Sequence, residues 1–291
     1  MADQLALKVM TWNLWWRFGD WQRRRQPILE VLARIAPDVV GLQEVWGSST
    51  ENQAQAFATA LGMHCAWCRS PAPEGFQRRL GDDTIVVGNA ILSRWPIIRE
   101  SVCLLPESGD DRGRTALFAL VDGPFGEIPF FTTQLSSTVG GSALRCEQVR
   151  RLARFVVEET GGRGTAVLTG DFNAEPDSDE IRLLGGHKTA PSLPGLVFLD
   201  AWRFADPTAR GWTWDRRNPS VRATGEPDAR IDYVFLGYGA ESEVSFRVNG
   251  AWIAGNEPVH DVWPSDHAAV VAELHVAADV GASAGTTAST I

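Results

Sequence analysis

Short apolar segments that run into polar side chains are the feature that most restricts how this 291-residue chain can fold. One of them, Thr165 to Leu168, leads through a glycine to Asp171 and Asn173. Residues i and i+2 of an extended segment point to the same side, so Asp171 and Asn173 can converge while Phe172 packs the other way. A carboxylate beside an amide suits a hard cation or a phosphate oxygen, although a strand that ends in an ordinary Asp/Asn turn has the same pattern.

Polar residues follow or begin other predicted strands along the chain. They are Asn13, Glu44, Asn89, Gln134, Asp171 with Asn173, Asp232, and the pair Asp266 and His267. Each has an ordinary alternative when taken alone: Glu44 fits a surface acid, Asn89 a bulge residue, and Asp232 a partner for Arg230. If the sheets bring these positions together, they offer carboxylates, amides and one histidine but no cysteine. That set of ligands favours Mg²⁺ or Mn²⁺ over Zn²⁺.

The order of predicted elements indicates an α/β protein. Many strands in mixed order, with helices at about 22–34, 53–61 and 143–159, predict two β-sheets packed face to face with helices outside. Thr50 and Gln53 resemble a capping box at the start of the second helix. Long polar segments at 69–83, 105–114, 185–195 and 216–228 are predicted to be functional or mobile loops.

Composition limits the domain organisation. Apolar residues make up 44% of the chain, which is enough for a sizeable core, and no linker divides residues 5–276, so we expect one domain. Residues 277–291 are mostly Ala, Gly, Ser and Thr with no apolar pattern, and we expect this tail to be disordered.

Charge and cysteine content exclude some classes of function. The net charge of −9, from 27 basic and 36 acidic residues, argues against a protein whose affinity depends on duplex phosphates. No signal peptide and no apolar run long enough for a membrane span are visible. We therefore interpret the four cysteines as reduced thiols in a cytoplasmic protein, which we expect to be a monomer. The Cys65–Cys68 spacing lacks the second pair that a zinc site needs, so these two are predicted to be structural thiols.

Six segments resemble, in their order along the chain, the motifs of the endonuclease/exonuclease/phosphatase superfamily. They are Thr11-Trp12-Asn13, Leu42-Gln43-Glu44-Val45, Gly88-Asn89-Ala90-Ile91-Leu92-Ser93-Arg94, Gly170-Asp171-Phe172-Asn173, Arg230-Ile231-Asp232-Tyr233 and Ser265-Asp266-His267. The resemblance covers nearly the whole chain. It implies the deoxyribonuclease I-like fold, a four-layer α/β/β/α sandwich with two packed mixed β-sheets flanked by helices. It also implies metal-dependent hydrolysis of a phosphoester by in-line attack of an activated water.

The resemblance also implies a role for each polar position. Glu44 corresponds to the metal carboxylate, with Asn13 and Asp266 in or near the shell of a Mg²⁺ or Mn²⁺ ion. His267 resembles the general base or transition-state partner, and Asp232 the carboxylate that orients it. Asp171 and Asn173 would align the attacking water and the phosphate, and Asn89 would line the cleft. Arg114, which follows a long loop and starts a strand, is a further candidate for contact with a phosphate.

One segment departs from the pattern. Many members of the superfamily have Thr-His-Leu where this chain has Thr133-Gln134-Leu135. Glutamine can donate a hydrogen bond to a phosphoryl oxygen but cannot supply a proton, because its amide does not titrate. Three functions stay open: a hydrolase of a small or lipid-like phosphoester, a Mg²⁺-dependent nuclease, and a binding protein with impaired catalysis.

Two other groups of residues fit more than one interpretation. The aromatic cluster Trp15, Trp16, Phe18 and Trp21 fits either core or an apolar wall for the organic part of a substrate. Arg23-Arg24-Arg25 is typical of a solvated helix face, whereas Arg78-Arg79 and Arg216-Arg217 lie in long loops that could border a cleft.

Overall fold

The computed structural model describes residues 6–109, 111–162, 166–238 and 245–277. The strands are β1 (Ala6–Asn13), β2 (Val39–Gly47), β3 (His64–Arg69), β4 (Val86–Ser93), β5 (Ile97–Leu104), β6 (Thr115–Gly123), β7 (Gly126–Gln134), β8 (Ala166–Asp171), β9 (Val197–Asp200), β10 (Asp232–Tyr238), β11 (Ser245–Ala254) and β12 (Ala269–Ala277). The helices are α1 (Trp21–Ile35), α2 (Gln53–Leu61), α3 (Glu74–Leu80), α4 (Ser142–Thr160), α5 (Asp179–Gly185) and α6 (Pro219–Thr224), with a 3₁₀ turn at Ala201–Phe204.

The strands form two six-stranded mixed sheets. The first has the order β11-β12-β1-β2-β4-β3 and the second the order β5-β6-β7-β8-β10-β9. Helices α1 and α2 cover the outer face of the first sheet with apolar residues such as Val31 and Phe57. Helices α4 and α5 cover the second with residues such as Leu152 and Leu184. The predicted four-layer α/β/β/α sandwich is therefore confirmed.

A buried polar contact joins the two sheets at their centre. Gln43 Nε2 donates to Thr132 Oγ1 at 2.7 Å and to Thr11 Oγ1 at 3.1 Å, and all three side chains are fully buried. The sheets approach closely here, since a Cβ on Gly41 would lie 2.3 Å from Thr169 Oγ1. Apolar residues on either side of this contact complete the core between the sheets.

Strand direction brings the polar positions to one edge of the sandwich. Strand β1 runs parallel to β2, and β7 runs parallel to β8, so the carboxyl ends within each pair meet. Strands β12 and β10 are antiparallel to β1 and β8, so their first residues lie at the same edge. Asn13, Gln134 and Asp171 end their strands there, and Asp232 begins β10.

Some predicted positions differ in detail. Glu44 does not end a strand: β2 continues to Gly47 through an irregularity between Leu42 and Val45, opposite β4. Asn89 lies within β4 and not at its end. The predicted capping box is wrong, because Asn52 caps α2 by accepting from the Gln55 amide at 3.0 Å.

The long polar segments contain more regular structure than expected. Segment 69–83 contains α3, and segment 216–228 contains α6. Of the predicted disordered tail, 277–291, only residue 277 is described, at the end of β12, and the rest lies outside the described residues. Within the described ranges, no helix has both the length and the apolar character needed to cross a membrane.

Candidate active site

A cleft of about 510 Å³ opens at the polar edge of the sandwich. Its polar floor consists of Glu44, Gln134, Asp171, Asp266 and His267, which come from both sheets. Around the floor stand aromatic side chains and several arginines from segments outside the sheets. The structure thus brings most of the predicted site residues into one depression.

The backbone of the Gly-Asp-Phe-Asn segment, residues 170–173, is fixed by close packing against β7 and by a turn at Asn173. A Cβ on Gly170 would lie 2.3 Å from the Thr133 carbonyl oxygen, so only glycine fits beside the parallel strand β7. Asn173 adopts a positive φ of 48°, and its backbone amide donates to Asp171 Oδ1 at 3.0 Å. Phe172 is fully buried, so the alternation expected from the sequence is present.

Gln134 connects the two sheets across the floor. Its Nε2 donates to Glu44 Oε1 at 2.8 Å and to Asp171 Oδ2 at 3.2 Å. Asn13 Nδ2 donates to the same Asp171 oxygen at 3.0 Å. Gln134 therefore holds two carboxylates in place.

His267 and Asp232 form a buried pair. His267 Nδ1 lies 2.9 Å from Asp232 Oδ2, and the imidazole packs edge-on against Trp214 with 5.0 Å between ring centroids. Burial lowers the pKa of His267, but the charges of Asp232 and Asp171 and the hydrogen bond to Asp232 outweigh it and raise the pKa well above 6.5. The arrangement orients the ring and favours its charged form.

The carboxylates facing the cleft fit a hard divalent cation. Glu44 is placed by a positive φ of 52°, and Asp266 lies in the same floor. Burial, together with the charges of Glu44 and Asp171, raises the pKa of Asp266 to about 7, against the opposing effect of His267 and Arg24. A cation would relieve this repulsion, and oxygen ligands are the type that Mg²⁺ and Mn²⁺ prefer.

A second group of possible ligands is partly engaged within the protein, since Asp232 Oδ1 is buried and has no hydrogen-bond partner among the described residues. Ligand atoms of Asp171, Asp232 and His267 lie within 4.8 Å of one another. However, His267 Nδ1 contacts Asp232, and both oxygens of Asp171 accept hydrogen bonds. Asn13 is 1% exposed and lies behind the floor, with its Oδ1 accepting from the Trp15 amide at 2.9 Å.

The two predicted substrate contacts differ in position. Asn89 does not line the main cleft: its Nδ2 donates to the Thr115 carbonyl oxygen at 3.0 Å, and it borders a small adjoining cavity of about 20 Å³. Arg114 borders both spaces.

Arg24 is a residue that the sequence prediction missed. Its predicted place on a solvated face is wrong, because it is only 3% exposed. Its guanidinium donates to the backbone carbonyls of Leu14, Trp15, Trp16, Phe18 and Pro264 at 2.7–3.1 Å. It thereby holds the aromatic loop against the segment that carries Asp266 and His267. Only tertiary structure distinguishes it from its two exposed neighbours.

The aromatic loop is divided between the core and the cleft. Trp16 is buried at 1% exposure and packs with Trp46 in a small apolar cluster. Trp15 and Phe18 instead line the cleft.

Comparison with known proteins agrees with this arrangement. The model of the Endonuclease/Exonuclease/phosphatase family matches residues 10–267. The chain is 28% identical over 183 residues to Protein angel of Drosophila melanogaster; the match covers 58% of this chain and 48% of that protein, about half its length.

Solved structures have the same fold. An endonuclease/exonuclease/phosphatase from Beutenbergia cavernae superposes with a TM-score of 0.68 at 26% identity, covering 93% of this chain and 72% of the other. The human Nocturnin catalytic domain with bound sulfate superposes with a TM-score of 0.70 at 20% identity, and the match covers 94% of this chain and 95% of the other. D. rerio TDP2 complexed with single strand DNA product superposes with a TM-score of 0.71 at 19% identity, and the match covers 93% of this chain and 99% of the other.

Proposed function

This chain belongs to the endonuclease/exonuclease/phosphatase family, and on that premise we propose that it is a Mg²⁺- or Mn²⁺-dependent hydrolase of a small or lipid-like phosphoester. The observation that carries the proposal is the buried His267–Asp232 pair beside the carboxylates Glu44 and Asp266 in one cleft. An acidic chain with aromatic residues beside the floor favours a small or lipid-like substrate over a polynucleotide.

In the proposed mechanism Glu44 and Asp266 would hold the ion, with Asn13 in or near its shell, and Asn13 also donates a hydrogen bond to Asp171. When bound, the ion would supply Lewis-acid stabilisation of charge on the phosphoryl oxygens and the leaving group. Asp171 and Asn173 align the attacking water and the phosphate. Asp232 engages His267 Nδ1, which leaves Nε2 as the ring nitrogen for the substrate. The charged imidazole, which this pairing favours, serves there as transition-state partner, and the general-base role requires the neutral ring. Arg114, which borders the cleft, is proposed as a substrate contact, whereas Asn89 borders only the small adjoining cavity.

Gln134 leaves its position in the cleft without a proton donor. Its amide cannot protonate a leaving group, and its donor nitrogen already serves Glu44 and Asp171. We propose that Gln134 keeps these carboxylates in position. Esters with good leaving groups, which need no proton, are then the preferred substrates.

A nuclease is the second candidate. The likeness to TDP2 complexed with single strand DNA product shows the shared fold, and a nuclease of this family would show strong salt dependence because phosphate contacts release counterions. The net charge of −9 weighs against this activity. A pure binding protein is disfavoured because binding alone requires neither His267 nor the carboxylate that orients it.

The test is a panel of phosphoesters and nucleic acids assayed with Mg²⁺, with Mn²⁺ and with EDTA. We expect hydrolysis of at least one small phosphoester, its loss in EDTA, and loss in Glu44→Gln. Glu127→Gln, which removes an exposed carboxylate from the β6–β7 hairpin, is the control and should keep full activity. Cleavage confined to nucleic acid would favour the nuclease, and no hydrolysis at all would favour the binding protein.

The remaining predictions concern the chain as a whole. A single domain at 5–276, a monomeric state and a cytoplasmic location stay predictions. The four free cysteines support the reducing compartment.

A further inference from the structure

Four arginines line one side of the cleft, and we call them the arginine wall: Arg78, Arg79, Arg112 and Arg114. The first two lie on α3, and the other two lie just before and at the edge of β6. This cationic cluster is unexpected in a chain of net charge −9. Among the described residues, neither Arg78 nor Arg79 forms an ion pair, and both are exposed.

Arg114 is the buried member of the wall. It is 8% exposed, its Nε donates to Asp111 Oδ1 at 2.8 Å, and its Nη2 donates to Ser137 Oγ at 3.0 Å. Its Nη1 is also buried and has no hydrogen-bond partner among the described residues. A buried guanidinium nitrogen without a partner is costly, and an anion in the cleft would satisfy it.

Two segments that carry the wall are fixed to each other. Ser70 Oγ, just before α3, donates to the Gly113 carbonyl oxygen at 2.9 Å. Gly113 has a φ of 75°, and a Cβ there would lie 2.2 Å from Ser70 Oγ and 2.8 Å from the Ala72 nitrogen. This close contact holds Arg112 and Arg114 beside α3, so the wall is a built surface with contributions from two parts of the chain.

Aromatic side chains line the same cleft as the floor and the wall. Trp15, Phe18 and Phe76 border the cleft, and the Phe18 and Phe76 rings stack with 6.0 Å between centroids. Arg79 lies over Phe18, with 4.1 Å between its Cζ and the ring centroid. A substrate that spans from floor to wall would place its uncharged part against these rings.

We propose that the arginine wall is a subsite for a second phosphoryl group of the substrate, separate from the phosphoester that is hydrolysed at the floor. The substrate class is then a small molecule with two phosphoryl groups joined by an organic spacer. The inference rests on the proposed function for the position of the first phosphoester. The cleft volume of about 510 Å³ lies within the range of small-molecule sites and favours such a compound over a polynucleotide.

The test measures binding without catalysis. Isothermal titration in EDTA at low salt compares adenosine 3′-monophosphate with adenosine 3′,5′-bisphosphate, which differ by one phosphoryl group. We expect the bisphosphate to bind about tenfold or more tightly, because charge-assisted hydrogen bonds to a second phosphate are added. The double variant R78A/R79A and the single variant R114Q should each lose most of that advantage.

A matched control removes the same charge elsewhere. R150A/R154A deletes two exposed arginines from α4, outside the cleft, and should keep the wild-type preference for the bisphosphate. Equal losses in R78A/R79A and R150A/R154A would mean a general charge effect and would overturn the proposal. If R114Q fails to fold, the exposed pair on α3 decides the outcome.

Two further results distinguish this subsite from binding of a polynucleotide and from failure of the proposed hydrolase function. A single-stranded oligonucleotide that binds in a wall-dependent, strongly salt-dependent way, with no preference for the bisphosphate, would overturn the small-molecule class in favour of a polynucleotide. Glu44→Gln should retain the bisphosphate preference in EDTA. If that preference holds while no phosphoester is hydrolysed by the wild type, the wall subsite stands and the proposed function fails.

Discussion

The polar floor and the arginine wall of the cleft are built in different ways. Floor residues lie within strands, at strand ends or next to strands, and Asp171, Asp266, His267 and Gln134 are 1–8% exposed. Wall residues lie on a short helix with no fully buried residue and on a loop, and the Arg112 side chain is 65% exposed. Hydrogen bonds from Gln134 and Asn13 hold the floor carboxylates Glu44 and Asp171. Helix α3 has no buried residue and packs against Trp16 and Phe18 through Phe76.

The difference indicates that the floor and the wall have separate functions, catalysis and substrate recognition. A rigid, buried floor suits chemistry that requires groups at defined separations, and a wall that is exposed except at Arg114 suits recognition of a particular substrate. A substitution in the floor should therefore affect turnover or the stability of the whole fold. A substitution in the wall should affect affinity and local stability.

The largest expected effect is on turnover, from His267→Ala. Loss of the oriented imidazole should lower kcat by roughly 10²–10⁴-fold, the range of general acid–base catalysis. His260→Ala is the control, since His260 is exposed and paired with Glu30 at 3.0 Å, and it should keep wild-type rates. Steady-state kinetics on any substrate found in the panel decides; equal rates for both variants would remove His267 from the mechanism.

The next effect is on global stability, from Gly170→Ala. The new Cβ would meet the Thr133 carbonyl oxygen at 2.3 Å, so β8 must move away from β7. We expect a loss of about 1–3 kcal/mol in the free energy of unfolding, measured by urea titration. At Gly250 a Cβ meets nothing within 4 Å, and Gly250→Ala should change stability little. If the two variants are equally stable, the floor is less rigid than its contacts indicate.

A smaller gain is expected from Gln134→His. A proton donor at this position should raise kcat up to about 10²-fold, the low end of general-acid catalysis, and most for esters with poor leaving groups. Gln134→Leu, which can donate neither a proton nor a hydrogen bond, should be slower than wild type. An unchanged or lower rate for Gln134→His across a leaving-group series would show that holding Glu44 and Asp171 matters more than proton donation.

The smallest effect is local and concerns α3. Phe76 packs edge-on against Trp16 with 5.3 Å between centroids and stacks on Phe18 at 6.0 Å, so Phe76→Ala should cost about 1–2 kcal/mol of local stability, as for two aromatic pairs. Hydrogen exchange should become faster in α3 amides and stay unchanged in β8 and β10. Phe204→Ala, at a side chain that is 46% exposed, should alter neither region. Faster exchange throughout the sheets would contradict the independence of floor and wall.

Much of the floor was predictable because its chemistry lies in short segments. Asp171 and Phe172 alternate as an extended chain must, and a polar residue after an apolar run marks the end of a buried strand. Glu44 lines the cleft but lies at an irregularity within β2 and not at the strand end that was expected, since one extra residue in a strand leaves no trace in an apolar pattern. Arg24 and the 70–113 contact depend on distant partners that no local pattern reveals.

The sequence by itself determined most of the strands, though not β9, together with the three longer helices and the identity of the polar groups at the floor, because periodicity and residue chemistry are local properties. Tertiary structure alone decided which of those groups meet. In the folded chain Gln134 connects Glu44 and Asp171 across two sheets. Arg24 is buried between its exposed neighbours, and Arg78 and Arg114 line the same cleft. The physical reason is that these contacts connect residues far apart in the chain, and close packing of the whole sandwich selects them.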